Sequence, residues 1–147
     1  MFKRILVAVD GSEIAERAMQ QGLDVARQLG ATVVGFVVES MPPLPSMGAH
    51  MPTYRREARE HEAQGDTHAY KVLAFFSEQA AKAEVPFEGH HERSDDAARA
   101  IAETADRLDV DMVVMLTHGR GPFGELLFGS HSKKLLSLTK KPVLIFH

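Results

Sequence analysis

A glycine-rich stretch near the end of the chain, HGRGPFGELLFGS, has the composition of a phosphate-binding loop. It contains four glycines, and the last of them, Gly129, is followed directly by Ser130. Glycine lets backbone N–H groups approach an anion because no Cβ stands in the way, and a helix N-terminus adds unpaired donors with a partial positive charge. The same glycines could serve only a turn and a close helix–strand contact, and their spacing alone does not decide between these interpretations.

Three specific motifs can be tested against this stretch, and none fits. The segment GRGPFG satisfies G-x-G-x-x-G, but it follows the fourth predicted strand rather than the first, and Lys140 and Lys141 stand where a dinucleotide fingerprint needs an acid. A P-loop would place a lysine before its serine, and GELLFGS has none there. The esterase elbow G-x-S-x-G is absent. The literal match is therefore a coincidence of a glycine-rich loop.

Four charged residues near the two ends of the predicted crevice have more than one interpretation. Asp10 follows the first apolar run and could cap a helix, with Glu13 as its capping-box partner, or could contact a ligand; the two roles can coexist. Arg120 could pair with a phosphate, although an exposed loop arginine is more often simply solvated. Lys133 and Lys134, at the start of the last predicted helix, are expected to face solvent rather than phosphate.

The eight histidines do not predict a metal site. His90 and His91 are neighbours on a predicted strand, so they point to opposite faces and cannot share one ion. His61 and His68 are about 10 Å apart along a helix axis, too far for a common ion. A hydrolase triad of Ser130, His118 and Asp10 has no support from spacing. His118 and His131 flank the glycine stretch, and a neighbouring phosphate would favour their charged forms, so that affinity would fall as pH rises.

Composition restricts the class of protein. A chain of 147 residues with 44% hydrophobic and 25% charged residues fits one domain, residues 1–147, with a real core. The net charge of -3 offers no basic excess for nucleic acid, so nucleic-acid binding is not expected. There is no cysteine, which excludes disulfides and thiolate chemistry. The first apolar run is too short for a signal peptide or a membrane span, so a cytoplasmic protein without membrane partners is expected.

Apolar runs and helical patterns alternate along the chain. We predict strands at 4–9, 31–38, 85–93, 111–116 and 142–146, and helices at about 15–29, 54–83, 97–108 and 130–138. The second helix is expected to pack through a stripe at Val72, Leu73, Phe75, Phe76 and Ala80. Four prolines between residues 39 and 53 predict a long loop there, with three methionines, whose role the sequence does not reveal.

This alternation predicts the doubly wound α/β class, with a single parallel sheet of five strands and four helices, similar to a Rossmann fold. With strand order 3-2-1-4-5, the ligand crevice lies between the carboxyl ends of strands 1 and 4. Asp10 and the glycine-rich stretch would then face each other across that crevice.

These residues carry a resemblance to a known family. ILVAVDGS near the start, VDMVVMLTHGRG, and LLFGS followed by KKPVLIFH resemble the hallmarks of the universal stress proteins over nearly the whole chain. The ATP-binding branch carries G-x2-G-x9-G-[ST] after its fourth strand. Here the second glycine falls on Gly119, the third on Gly129 and the hydroxyl on Ser130, whereas Leu116 replaces the first glycine.

The resemblance implies that Asp10 sits beside the adenine or ribose and that Val37 lines the adenine pocket through its backbone. In the loop before the third helix, where many members have a glycine, this chain has Ser94, Asp95 and Asp96, and two carboxylates there would not welcome a triphosphate without a cation. The predicted nucleotide-binding residues are Ala8, Val9, Asp10, Val37, Leu116, Thr117, His118, Gly119, Arg120, Gly129, Ser130, His131 and Ser132.

We therefore expect a stress-response protein that binds ATP, or the related AMP or ADP, with Mg²⁺ as a further candidate, and that signals rather than catalyses. The alternatives are a stress protein that binds no nucleotide and acts through dimerisation and partner proteins, and a slow ATP hydrolase. The apolar last strand is expected to lie at the sheet edge, and pairing with its own copy through residues 142–147 would make a homodimer, as the family's habit implies.

Overall fold

Short runs of branched apolar residues form the strands of this fold, and the amphipathic segments between them form its helices. The structure, a computed structural model, describes residues 1–9, 13–116 and 130–146. The elements in chain order are β1 (Arg4–Ala8), α1 (Glu13–Leu29), β2 (Thr32–Glu39), α2 (Met51–Lys82), β3 (Phe87–Arg93), α3 (Ala97–Arg107), β4 (Met112–Leu116), α4 (Ser130–Leu138) and β5 (Val143–Phe146).

The five strands form one parallel sheet in the order β3-β2-β1-β4-β5, which confirms the predicted fold class and strand order. Ile5 of β1 is in register with Val33 of β2 on one side and with Met112 of β4 on the other. Every ladder is parallel because a crossover segment connects each strand to the next.

The core lies in two layers, one on each face of the sheet. Val7 and Val37 face α1 and α2, while Leu6 and Phe36 face α3 and α4. The side chains of alternate residues of β1 and β2 thus pack into the two core layers on opposite faces of the sheet. Both faces of each strand are buried, which is why these strands are nearly continuous apolar runs. None of the helices within the described ranges is long and apolar enough to cross a membrane.

Glycine allows one helix to approach the sheet closely. An ideal Cβ built on Gly22 of α1 would lie 2.7 Å from Cγ2 of Val7, a distance that no side chain tolerates. Because it has no side chain, Gly22 can lie on the buried face of α1, and the helix can pack closely against β1 there.

The predicted loop between residues 39 and 53 is wrong at its C-terminal end. Helix α2 begins at Met51, so Pro52 and Thr53 lie in its first turn. Proline is tolerated there because the first N–H groups of a helix have no intrahelical acceptor and because its φ angle is already helical. The backbone oxygen of His50 accepts from the N–H of Tyr54, which closes the first turn.

The predicted packing stripe of α2 needs one correction. Val72, Leu73, Phe76 and Ala80 are buried as expected, whereas Phe75 is 39% exposed. Ala69 takes the remaining buried position, at the spacing of one helix face. At about 100° per residue the buried side chains span an arc of about 100° from Val72 to Leu73, and Phe75 lies about 60° outside that arc.

Candidate functional site

The carboxyl ends of β1 and β4 lie side by side at the centre of the sheet. The two strands pair in parallel through Ile5 with Met112, Leu6 with Val113 and Val7 with Val114. The helix after β1 packs on one face and the helix after β4 packs on the other, as the core residues of α1 and Leu135 of α4 show. Because the chain leaves the two strands in opposite directions, this is the position at which a ligand crevice is expected in such a sheet.

The first turn of α4 lies at this same edge of the sheet. Helix α4 leads through residues 139–142 to β5, and the oxygen of Pro142 accepts from the N–H of Val113, near the beginning of β4. The C-terminal end of α4 therefore lies at the end of the sheet where the strands begin. Its N-terminus, which begins at Ser130, lies beside the carboxyl ends of the strands. A helix N-terminus in that position can bind an anion.

Only part of the predicted site falls within the described residues. Ala8 ends β1, Val9 follows it, and both are buried. Leu116 ends β4 in register with Phe146, and Ser130 begins α4. His131 and Ser132 follow in the first turn of α4, although the side chains of Leu116 and of residues 130–133 are not described. The predicted members that lie outside the described residues are Asp10, Thr117, His118, Gly119, Arg120 and Gly129.

The strand register identifies which backbone groups of β2 face β1. The oxygen of Phe36 accepts from the N–H of Val9 at 3.0 Å, whereas the N–H of Val33 donates across the other side to Pro86. In a parallel strand the backbone N–H and C=O groups of successive residues point alternately to the two neighbouring strands. The backbone of Val37 therefore faces β3, and that of Val38 faces β1. Val38, which sequence reasoning missed, is thus the candidate for backbone contacts in the crevice; the role assigned to Val37 stays a prediction.

The two carboxylates of the Ser94–Asp96 loop are engaged by protein groups. Asp96 caps α3 by accepting from the N–H of Arg99 at 3.2 Å, and it forms an ion pair with Lys134 of α4. Asp95 accepts from the N–H of Met41 at 3.1 Å. These contacts offset the negative charge that the sequence places near the predicted phosphate position.

The contact between Asp96 and Lys134 ties α4 to the N-terminus of α3. The hydrogen bond from Lys134 is the main reason that the pKa of Asp96 lies below its ordinary value, and the Arg99 N–H lowers it further. We expected Lys134 to face solvent, and its side chain is only 40% exposed. The two residues are far apart in sequence, so no local pattern could have predicted this contact.

The proline-rich segment before α2 packs against the first turns of that helix. A cavity of about 410 Å³ separates them, lined on one side by the prolines of residues 42–45 and on the other by Tyr54, Glu57 and His61. Nε2 of His61 lies 3.2 Å from both Oγ and the backbone oxygen of Ser40, which fixes the beginning of the segment.

Comparisons with known proteins agree with the fold. The universal stress protein family profile matches residues 1–147. A universal stress protein of Thermus aquaticus, named for its position 3′ of QAH/OAS sulfhydrylase, is 34% identical over 145 residues, which cover 99% of this chain and 98% of that protein.

Two solved structures illustrate the likeness of fold. One is a universal stress protein in complex with cAMP, with a TM-score of 0.70 and 20% identity over 99% of this chain and 97% of that one. The other is the universal stress protein of Archaeoglobus fulgidus in complex with dAMP, with a TM-score of 0.60, 24% identity and full coverage of both chains, 100% each. At this identity the likeness is one of fold alone.

Proposed function

The chain belongs to the universal stress protein family, and we propose that it binds an adenine nucleotide where the carboxyl ends of β1 and β4 meet. The observation that carries this proposal is the strand order, which reverses direction between β1 and β4 and places the first turn of α4 at the same edge. Two proteins of the same fold have been solved in complex with cAMP and with dAMP. An adenine nucleotide is therefore the ligand class that this crevice suits best.

In this proposal the base and sugar lie against the end of β1 and the phosphates lie near α4. Asp10 and the backbone of residues 37–38 would hold the adenosine, and backbone amides and hydroxyls of residues 117–119 and 129–132 would hold the phosphates. ATP is the first candidate, with AMP and ADP as relatives that share the same contacts to the base. Mg²⁺ would offset the phosphate charge.

The ion pair between Asp96 and Lys134 supports a phosphate in this region. An uncompensated pair of carboxylates at residues 95 and 96 would repel a triphosphate, but Asp96 is paired with Lys134 and with Arg99. Lys134 stands one turn into α4, so its pairing with Asp96 keeps that carboxylate from opposing the partial positive charge of the helix N-terminus.

We assign the bound nucleotide a regulatory role in a cytoplasmic protein rather than a substrate role. The described residues at the crevice edge are the apolar Ala8, Val9 and Val38 and the mutually paired Asp96 and Lys134. None of these is a nucleophile next to a general base, which efficient hydrolysis would need. Slow hydrolysis would require Asp10, and replacement of Asp10 by Asn would then abolish turnover.

Titration calorimetry with ATP, AMP and cyclic AMP, with and without magnesium, tests the proposal. We expect heat of binding for ATP, and tighter binding by the Leu116→Gly variant because glycine restores close backbone approach at the first motif position. The melting temperature of the nucleotide-free variant serves as the control for its fold. No heat and no thermal shift at millimolar nucleotide would instead favour a stress protein that acts through dimerisation and partner proteins.

A further inference from the structure

Within the part of the chain that the structure describes, a buried carboxylate at the end of β2 has a hydrogen-bond partner for only one of its oxygens. Glu39 is 6% exposed as a residue, and its side chain is 4% exposed. Its Oε1 lies 2.7 Å from Nδ1 of His91 on β3. No hydrogen-bond donor among the described residues reaches its Oε2, which is fully buried. An unpaired buried carboxylate oxygen is costly, so a positive group is expected at this position.

Oε2 of Glu39 lies against helix α2 at Gly65. Glycine is uncommon in the middle of a helix. An ideal Cβ on Gly65 would lie 2.4 Å from Oε2 of Glu39. A glycine within a helix costs about 1 kcal/mol relative to alanine, and here it keeps open the space around the carboxylate. The unpaired oxygen therefore lies directly against the backbone of α2 at Gly65.

Asp66, the next residue of α2, completes a set of three metal-ligating side chains. One ligand atom from each of Glu39, Asp66 and His91 lies within 4.8 Å of the other two. We propose that this group, the Glu39 cluster, binds a divalent transition-metal ion of the Zn²⁺ class. Two carboxylate oxygens and one imidazole nitrogen are typical ligands for such ions, whereas Mg²⁺ and Ca²⁺ prefer oxygen alone.

The surroundings of the cluster are compatible with a doubly charged ion. Glu39 and Asp66 bring two negative charges, one of which is offset by Arg93, whose Nη1 donates to Oδ1 of Asp66 at 2.7 Å and leaves the second oxygen of that carboxylate for the ion. The ring of Tyr70 meets that of His91 edge to face, with centroids 5.1 Å apart, and holds the imidazole in place. On binding, the proton that Nδ1 of His91 shares with Oε1 of Glu39 passes to solvent, which frees Nδ1 and the Glu39 carboxylate, including its unpaired Oε2, for the ion.

This site involves a single histidine and is separate from the nucleotide crevice. His90, the neighbour of His91, points away from the cluster and lies 2.7 Å from Oε1 of Glu88. The expectation that His90 and His91 cannot share an ion is thus compatible with His91 joining two carboxylates. The cluster lies on the α2 side of β2 and β3, whereas the crevice lies between β1 and β4, so neither proposal depends on the other.

Calorimetric titration of the EDTA-treated, nucleotide-free protein with Zn²⁺ tests the inference. We expect one tight site in the wild type and no comparable heat with Mg²⁺. His91→Gln and Asp66→Asn should each weaken Zn²⁺ binding at least about tenfold, since even partners that only orient a metal ligand change affinity by that factor. His90→Gln is the matched control and should leave the affinity unchanged.

Thermal melting with and without Zn²⁺ provides a second measurement. Zn²⁺ should raise the melting temperature of the wild type and of His90→Gln, and should not raise that of Asp66→Asn, whose side chain is part-exposed and can be replaced without disturbing the core. Equal Zn²⁺ affinity in all four proteins would place the ion on other histidines and overturn the inference. Absence of a tight site in the wild type would show that Glu39 and His91 form only an ion pair.

Discussion

At the scale of single residues, Gly65 provides a direct test of the close contact between α2 and Glu39. Alanine normally stabilises a helix interior by about 1 kcal/mol relative to glycine. We predict the opposite here: Gly65→Ala should lower the free energy of unfolding by about 1–3 kcal/mol, because its Cβ would collide with a buried carboxylate oxygen. Urea denaturation measures the change.

The double variant Gly65→Ala, Glu39→Ala is the control. Removing the carboxylate vacates the space that the new methyl group needs, so adding Gly65→Ala to the Glu39→Ala background should be neutral or stabilising. If Gly65→Ala destabilises both backgrounds equally, the collision with Glu39 is not the cause.

Asp96 illustrates how one side chain can fix two helices and make stability depend on pH. Its pKa in the folded protein is lowered below the ordinary value of an aspartate, chiefly by the hydrogen bond from Lys134. A lowered folded pKa stabilises the protein above the unfolded value, and this contribution is lost as pH falls through the folded pKa. The wild type should therefore lose stability in acid more steeply than an Asp96→Asn variant.

Neutral-pH denaturation separates the two roles of Asp96. Asp96→Ala removes the cap of α3 as well as the ion pair and should cost about 1 kcal/mol. Lys134→Gln keeps the cap and removes only a part-exposed pair, so its cost should be smaller, within about 0.2–1 kcal/mol. A larger loss for Lys134→Gln than for Asp96→Ala would contradict the assignment of the cap.

At the scale of elements, the distance between α1 and β1 depends on Gly22. Gly22→Ala would place a methyl group 2.7 Å from Cγ2 of Val7, at the centre of the sheet. We predict a loss of about 1–3 kcal/mol in the free energy of unfolding, since overpacking forces the helix outward. A Val7→Ala background should reduce this loss. An unchanged stability of Gly22→Ala alone would show that α1 moves without cost.

The order of the elements was predictable because each strand and helix carries its own local pattern. Runs such as RILVAV are apolar on both faces, and Ala97 to Ala105 repeat at helical spacing, so buried strands and amphipathic helices could be distinguished. The start of α2 was not predictable from proline content alone, because Pro52 is acceptable in a first turn and disruptive only further along.

Contacts between distant residues account for most of what the sequence could not predict. The edge at which β1, β4 and α4 meet follows from strand order and was predicted, while the pairing of Lys134 with Asp96 joins residues of different elements. The Glu39 cluster likewise draws its members from β2, α2 and β3. No spacing rule within one element connects these residues, so only the packed structure brings them together.

At the scale of the whole molecule, β5 forms one edge of the sheet, and we propose that it pairs with its own copy through residues 142–147. The backbone oxygen of Pro142 points towards β4, and the backbone groups of every second residue from Pro142 onwards point the same way. The backbone groups of the residues between them point outward, so the N–H of Ile145 points outward. Ile145 is 36% exposed. An outward N–H beside an exposed apolar side chain favours pairing with another strand.

Ile145→Pro removes one of the outward donors of β5, the one near its centre, and should convert a dimer to a monomer while leaving the fold intact, since proline is acceptable on an edge strand. Ile145→Ala, which retains the N–H, is the control and should remain dimeric. Light scattering coupled to size-exclusion chromatography reports the mass. A dimer that persists in Ile145→Pro would place the interface elsewhere.

The central claim, that an adenine nucleotide binds where β1, β4 and α4 meet, is tested most directly by amide NMR spectra recorded during titration with ATP. We predict that the shifts that move most belong to Val9, Val38 and residues 130–132, while those of β3 and of the C-terminal half of α2 stay unchanged. Shifts confined to the surface between residues 42–50 and α2, or no shifts at saturating ATP, would contradict the assignment of the crevice.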